Sequence, residues 1–512
     1  MSDPVPAASP APRLAPLKRL RHWLSGGTWR VVFFTAGCLF TLGIALLAEE
    51  NWRAEAAWNR CRQTLADRSE KLALADFVPP PVPPEQNFAA TPLLAALFTK
   101  PTAPAFPITL APDASATNPP GATLGSWRAI RRTDLAAWAA AYRRHIASAS
   151  NASPGTVVLT ALDRFAHQFA ELRVASQRPQ AQFPWTWDDP GQLAPHFSAV
   201  KTITQALALH AVAALAEGRP DDARADFTLS LKLDQALRNE PIMLAYLVRI
   251  SVLQLTLLPV WEGLAEHRWS DPQLQEIQRQ LGQLNLAADF AQTLRGERGL
   301  ANFLTERALA NPRSKPGDSE EVNVRAAARD FGFGPRALLR QNQIHINELL
   351  QLAIDAFQRA TSDPANHQLP DLRAFQSRAN SLRTQNPYRV LAGTLVPVIQ
   401  SAIEKQLQAA VSLDLAVTAC ALERHRLAHG TYPARLELLV PAFLPRLPVD
   451  MADGQPIRYR CEADGQFVLY SVGLNGTDDG GRVELSPETR NPDPRQGDWV
   501  WCYPSPEHPS QP

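Results

Sequence analysis

The chain lacks the short signatures by which a sequence usually announces enzymatic chemistry. It has no His-Glu-x-x-His zinc pair, no Gly-x-Ser-x-Gly nucleophile turn, no P-loop and no dinucleotide glycine pattern. On that basis the chain is expected to be no enzyme. An excess of charge is also missing. Lys and Arg number 51 against 50 Asp and Glu, so no net field draws the chain onto DNA or RNA, and no nucleic-acid partner is expected. Cysteine is scarce, five in 512 residues, at Cys38, Cys61, Cys420, Cys461 and Cys502. Glycine, at 25, is outnumbered by 45 prolines that fall in clusters, the composition of stiff extended connectors between folded parts.

One long apolar run is present. From Val31 to Ala48 eighteen residues carry no charge, and at 1.5 Å per residue they reach about 27 Å, close to the thickness of bilayer hydrocarbon. Trp29 and Trp52 flank the run and Glu49 and Glu50 close it, as indoles favour the interface and carboxylates cannot enter lipid. Arg13, Lys18, Arg19, Arg21 and Arg30 precede it against the single acid Asp3. The positive-inside rule then leaves the N-terminus in the cytoplasm and exports the rest. A cleaved signal would want a shorter core and a small-residue cleavage site, whereas this run ends in Leu46, Leu47 and Ala48 before two glutamates. An uncleaved anchor in the inner membrane is expected, contacting lipid through residues 31–48.

Beyond the anchor, residues from Asn51 to about Ala75 read as a continuing helix, with Trp58, Leu65 and Leu72 at seven-residue intervals. Proline clusters from Pro79 and again from Pro101 then forbid helix, and the segment reads as linker. From about Ser126 to Arg389 the pattern is helical hairpins. The clearest is Thr204 to Leu237, where Gly218 ends one helix and Pro220 starts the next. It resembles one tetratricopeptide hairpin, but no second copy recurs at a 34-residue period, so no solenoid is expected. The apolar stretch Glu240 to Leu264 carries Arg249 near its middle and Pro259, which argues for a soluble core helix over a second span.

At the C-terminal end a long helix from Leu395 to His429 places Ile399, Ile403, Leu407, Ala410, Leu413, Val417 and Cys420 on one stripe. Gly430 stops it. After a compact loop, Ile457 to Cys461 and Gln466 to Val472 alternate as strands joined at Asp464 and Gly465, a β-hairpin on the helix. His425 and His429, four apart with Glu423 nearby, have zinc-ligand spacing. Their place in the last helical turns beside Arg424 and Arg426 suits positive charge at a helix end better.

The order of helix, HGTYP, LVPAFLPRLPVD, DGQPIRYR, FVLYSVGLNGTDDGG and a late GDWVW resembles the C-terminal half of the type II secretion major pseudopilins over about 120 residues. The rest of the chain resembles uncharacterised single-pass anchored bacterial proteins. The pseudopilin resemblance implies a helix carrying a small antiparallel sheet and a calcium-binding loop. Its matching positions are Asn475, Asp478 and Asp479, with Asp498 closing the site. Asn475 stands where the family has an aspartate, and a Pro-rich insert from Ser486 to Arg495 separates Asp498 from the loop. The competing expectation is a solvated turn whose side chains bond their own backbone. In an oxidising compartment Cys461 and Cys502 are a candidate disulfide across the sheet.

The sequence therefore predicts a mainly α protein. Its expected parts are a basic cytoplasmic tail (1–28), a transmembrane anchor (29–48), a stalk helix and Pro-rich linker (49–125), an α-helical periplasmic domain (126–390) and a pseudopilin-like α+β domain (395–512). The expected role is structural or interactive, toward cell-envelope or secretion-system proteins, with calcium as the candidate cofactor. The alternatives are an anchored envelope hydrolase centred near Trp185, Trp187, Asp188 and Asp189, and a divergent pseudopilin subunit.

Overall fold

The computed structural model describes residues 27–98, 106–111, 122–146, 151–184, 194–310, 336–362, 370–383, 386–462, 465–487 and 491–504. Twelve helices of two turns or more carry the described chain. These are α1 (Gly27–Asp67), α2 (Leu135–Arg143), α3 (Pro154–Leu162), α4 (Ala166–Ala175), α5 (Pro195–Ala216), α6 (Pro220–Ala236), α7 (Met243–Ala265), α8 (Asp271–Leu281), α9 (Leu286–Ala310), α10 (Arg336–Ser362), α11 (Arg373–Leu382) and α12 (Val390–His429). Near the C-terminus β1 (Arg458–Cys461), β2 (Phe467–Ser471) and β5 (Trp499–Trp501) form an antiparallel sheet in the order β1-β2-β5. A separate antiparallel pair joins β3 (Val483–Leu485) to β4 (Pro492–Gly497). The protein is thus mainly helical with a small antiparallel sheet, as the periodicity predicts.

The α5–α6 hairpin forms where Gly218 adopts φ +71 and Pro220 opens α6, the backbone freedom and fixed φ that such a turn requires. Both helices pack with α7, and α9 packs with α10. The helix α12 lies against α7, α8, α9, α10 and α11 and also carries β2 and β5. One contiguous apolar core therefore runs from Phe88 to Tyr503. Trp261 Nε1 donates to the Cys502 carbonyl at 2.8 Å, and the Trp127 and Trp501 rings stand 5.0 Å apart. The helical region and the C-terminal module, expected as two domains, share this core.

Two connecting segments differ from the sequence reading. Helix α1 stops at Asp67 and not near Ala75, where Ser69 takes φ 59 and the Glu70 amide closes back on the Leu65 carbonyl. The Pro-rich segment is not a free spacer over residues 74–98. Proline forbids helix but not burial, and Leu74, Phe77, Phe88 and Leu94 are buried in short turns. Asn87 pins the strap: its Oδ1 accepts the Gln182 amide at 2.8 Å and its Nδ2 donates to the Gln182 carbonyl at 2.8 Å.

The middle of α7 explains why that apolar helix carries an arginine. Arg249 is buried, and its Nη2 donates to Asp234 Oδ2 at 3.1 Å and Asp289 Oδ2 at 2.9 Å. Arg238 shares Asp289 through Oδ1 at 2.7 Å. Beside it Tyr246 Oη donates to the Leu286 carbonyl at 3.1 Å and to Gln406 of α12. Helices α6, α7 and α9 are thereby joined inside the core. Where α9 passes the turn before α7, only glycine fits, because a Cβ at Gly296 would stand 1.8 Å from the Pro241 carbonyl oxygen.

Removing the central cation leaves two carboxylates in a dry environment. Arg249→Ala is expected to destabilise the chain by about 3–5 kcal/mol, the usual penalty for breaking a buried pair from one side. Denaturant unfolding of the variant beside the wild type measures it.

Candidate functional site

Two places in the fold gather residues whose arrangement goes beyond packing: the base of α1 and the aspartate loop of the C-terminal module. In the first half of α1 the side chains from Val31 to Leu47 point outward. Phe33 is 61%, Phe34 74% and Phe40 72% exposed. The two threonine hydroxyls within this stretch are satisfied internally, Thr35 Oγ1 donating to the Val31 carbonyl at 2.7 Å and Thr41 Oγ1 to the Gly37 carbonyl at 2.8 Å. A helix in lipid must satisfy its polar groups in this way. Among the described residues three helices are long and apolar enough to cross a membrane. The apolar window of α1 is 0% buried, whereas those of α5 and α7 are 72% and 67% buried inside the body.

The second half of the same helix meets protein. Ala54, Trp58 and Leu65 are buried where α1 packs with α10. Asn51 Oδ1 accepts the Ala337 amide at 2.8 Å, covering a free donor at the start of α10. The Arg340 guanidinium donates to Glu55 at 2.8 Å and to Glu306, and lies over the Trp58 ring. Just past the helix, Glu70 takes a two-pronged contact from Arg295 at 3.0 and 3.1 Å and a 2.5 Å bond from Arg298, whose side chain is fully buried. Burial alone would raise the Glu70 carboxyl. The bonds from Arg295 and Arg298 more than offset this and hold it down at about 2.

In the C-terminal module the loop after β2 is closed by Asp498. Its Oδ2 accepts the Gly481 amide at 2.6 Å and its Oδ1 the Asp479 amide at 3.3 Å. Burial and the neighbouring Asp479 and Asp478 charges raise its pKa, while the two amide bonds act in the opposite direction. Asp478 Oδ1 accepts from Tyr470 Oη at 3.1 Å and from the Gly480 amide at 3.0 Å. Asp479 Oδ2 accepts from Asn475 Nδ2 at 3.3 Å, and Asn475 Oδ1 takes the Thr477 amide at 3.0 Å. All four residues singled out in the sequence are thus brought into one loop. The donors they face are mostly N–H groups, the arrangement of turns bonding their own backbone. Among the described residues no group of three His, Cys, Asp or Glu is placed to hold a metal ion. As arranged, the loop oxygens do not fit calcium, which needs six to eight oxygens turned inward.

Sequence reasoning missed the two arginines of β1 at this loop: Arg460 Nη1 donates to the Gly480 carbonyl at 2.6 Å, and Arg458 faces its aspartates. Arg458 of β1 reaches Asp450 Oδ2 at 2.7 Å and Asp453 Oδ1 at 3.1 Å, pairs also with Asp453 Oδ2, and brings Nε within 3.8 Å of Asp478 Oδ2. Its bonds to Asp453 lower that carboxyl's pKa. The alternation of RYR in a strand beside LPVD and DG was visible, but not that one arginine would face three aspartates. Also missed was the β3–β4 pair, in which the strand just before the Pro-rich insert pairs with one that begins at Pro492 inside it.

The proposed Cys461–Cys502 bridge is corrected. Both thiols are free, Cys461 exposed and Cys502 buried. Cys461 ends β1 opposite Phe467, and Cys502 follows β5, whose Trp501 faces Leu469 of the intervening β2. Two strand spacings separate them by about 9–10 Å, beyond the roughly 7 Å that a disulfide spans. Burial pushes the Cys502 thiol up to about 12. His425, half-buried, and His429, exposed, stack on each other at 4.2 Å beside Phe443, with their Nδ1 atoms on main-chain carbonyls. Trp185, Trp187, Asp188 and Asp189 lie outside the described residues. No family model, no curated protein and no solved structure matches this chain.

Two outcomes are expected. Because the Glu70 carboxyl is depressed, its contribution to stability is complete above its ordinary pKa of 4.5 and is lost as pH falls toward about 2. Glu70→Gln therefore lowers the melting temperature at pH 7 by a margin that shrinks as both proteins are acidified from pH 5 to pH 3. Native maleimide labelling modifies Cys461 and spares Cys502 and Cys420 until denaturant is added, and non-reducing electrophoresis shows no bridged species.

Proposed function

We propose that this chain is a single-pass inner-membrane protein of structural or interactive role. In this reading its short N-terminus is cytoplasmic and its body is held against the periplasmic face, where it presents its surface to envelope or secretion-system proteins. The observation that carries this reading is the change of environment along α1: a fully exposed apolar stretch continues, within the same helix, into a half that packs one face onto a folded body. Between Ala48 and Asn51 the helix rises only about 4.5 Å. The body therefore begins at the interface, with no flexible stalk between. The basic residues before the run support the N-terminus-in orientation. The burial of α5 and α7 supports a single crossing, since a helix already packed by its own chain offers lipid no apolar face.

The helix-and-sheet module supports a kinship of architecture with pseudopilin C-terminal domains: α12 carries β2 and β5, and an aspartate- and glycine-rich loop follows β2. Its use as a filament subunit is the weaker reading. The α12 helix is covered by α7 through α11, so the faces on which subunits would stack are already taken inside one chain.

The topology is tested with reporters fused after Pro512. A reporter active only outside the cytoplasm, together with retention of the full chain in the membrane pellet at alkaline pH and release on deletion of residues 31–48, is the expected result. Activity confined to the cytoplasm overturns the orientation. Cross-linking in intact cells before solubilisation is expected to recover a defined envelope protein, and recovery of this chain alone counts against the interactive role.

A further inference from the structure

The resemblance in the C-terminal module places calcium in the loop formed by Asn475, Asp478, Asp479 and Asp498, yet a different cation is already built into that corner. The Arg458 guanidinium donates through Nη1 to Asp450 at 2.7 Å and to Asp453 at 3.1 Å, pairs through Nη2 with Asp453, and places Nε 3.8 Å from Asp478. Asp450 is fully buried and fixes the position of this partner. It accepts Ser471 Oγ at 2.7 Å and the Val472 amide at 3.0 Å from the end of β2, and the Ala452 amide at 2.9 Å from its own turn. One guanidinium thus joins the turn before β1, β1 itself and the loop after β2.

We propose that Arg458 is the resident cation of this module and that the loop closes without metal, the guanidinium standing in for a divalent ion. A planar fork of N–H donors matches carboxylates arranged at its edges. Calcium instead requires oxygens at 2.3–2.6 Å. To ligate it, Asp498 would have to release the Gly481 and Asp479 amides, and Asp478 would have to release Tyr470. The ion would also come to rest beside a fixed positive charge. This inference stands on the module's geometry and is independent of the membrane reading.

The test is thermal unfolding of the detergent-solubilised full chain in millimolar calcium chloride and in EGTA. The wild type is expected to melt at the same temperature in both. A melting temperature that climbs with calcium concentration and loses that dependence in Asp478→Asn overturns the proposal. Arg458→Gln is expected to melt several degrees lower in EGTA, and an unchanged melting temperature overturns the role of the guanidinium. Partial recovery of Arg458→Gln by calcium, absent in the wild type, supports a shared seat for the two cations. Should Arg458→Gln fail to fold, Arg458→Lys decides together with the wild-type comparison. It keeps the charge without the fork and is expected to melt below the wild type, and equality with the wild type overturns the proposal.

Discussion

A guanidinium taken out of water must be met by carboxylates, and this chain places such a match at each joint between its parts. Arg249 holds Asp234 and Asp289 where α6, α7 and α9 meet. Arg298 and Arg295 hold Glu70 where α1 hands over to the body, and Arg340 holds Glu55 and Glu306 one step nearer the exposed apolar half of α1. Arg458 holds Asp450 and Asp453 where the sheet meets its loop. Such pairs add little net stability over a well-packed apolar substitute, because desolvation offsets most of the attraction. What they add is exclusion of alternatives. A register or docking error would leave one of these charges buried alone, and no apolar contact in the core compensates for that.

Much of this was open to reading from the residues in order. The apolar run at Val31, the Gly218 turn, the stripe on α12 and the hairpin at Arg458 and Phe467 all depend on neighbours within a few positions. Periodicity and turn chemistry report such neighbours directly. The unread parts share a different property. Glu70 meets Arg298 across 228 positions and Glu55 meets Arg340 across 285, and nothing local in either partner names the other. The Pro-rich strap looked like a spacer because proline content reports backbone stiffness, not whether Phe77 and Phe88 have a surface to cover. The cysteine pairing failed for the same reason: two thiols in one small sheet do not reveal that β2 lies between their strands. In the loop, residue types report a turn rich in carboxylates, while Arg458, which reaches Asp450, Asp453 and Asp478, sits in a strand read only for its alternation.

The distribution of apolar surface separates α1 from α5 and α7 on physical grounds. All three have the composition of a span. In α5 and α7 the apolar side chains are consumed by neighbouring helices, and α7 carries an ionic centre whose partners lie on two other helices. Moving α7 into lipid would expose Arg249, Asp234 and Asp289 together, or strand one without the others. At roughly 2.5–3.5 kcal/mol for even one charge at mid-membrane on insertion scales, the folded body is the lower state for α7. In α1 nothing competes with lipid, because residues 31–47 touch no other part of the described chain closely enough to bury them.

In the proposed membrane reading, the consequence would be mechanical coupling between bilayer and body. A helix that is continuous from Gly27 to Asp67 has no hinge between its exposed apolar half and its packed half; Asn51, Glu55 and Trp58 hold one face of the packed half against α10, and Glu70, just past its end, is held by Arg298 of α9. Tilt or rotation of the apolar half would then be carried into α10 and α9 and, through the core they share with α12, toward the small sheet. A tether built from a flexible linker would let the body sample a hemisphere above the membrane. In that reading this tether would hold a single orientation, so the surface offered to a partner would be set by how α1 sits in lipid, with the body close against the bilayer.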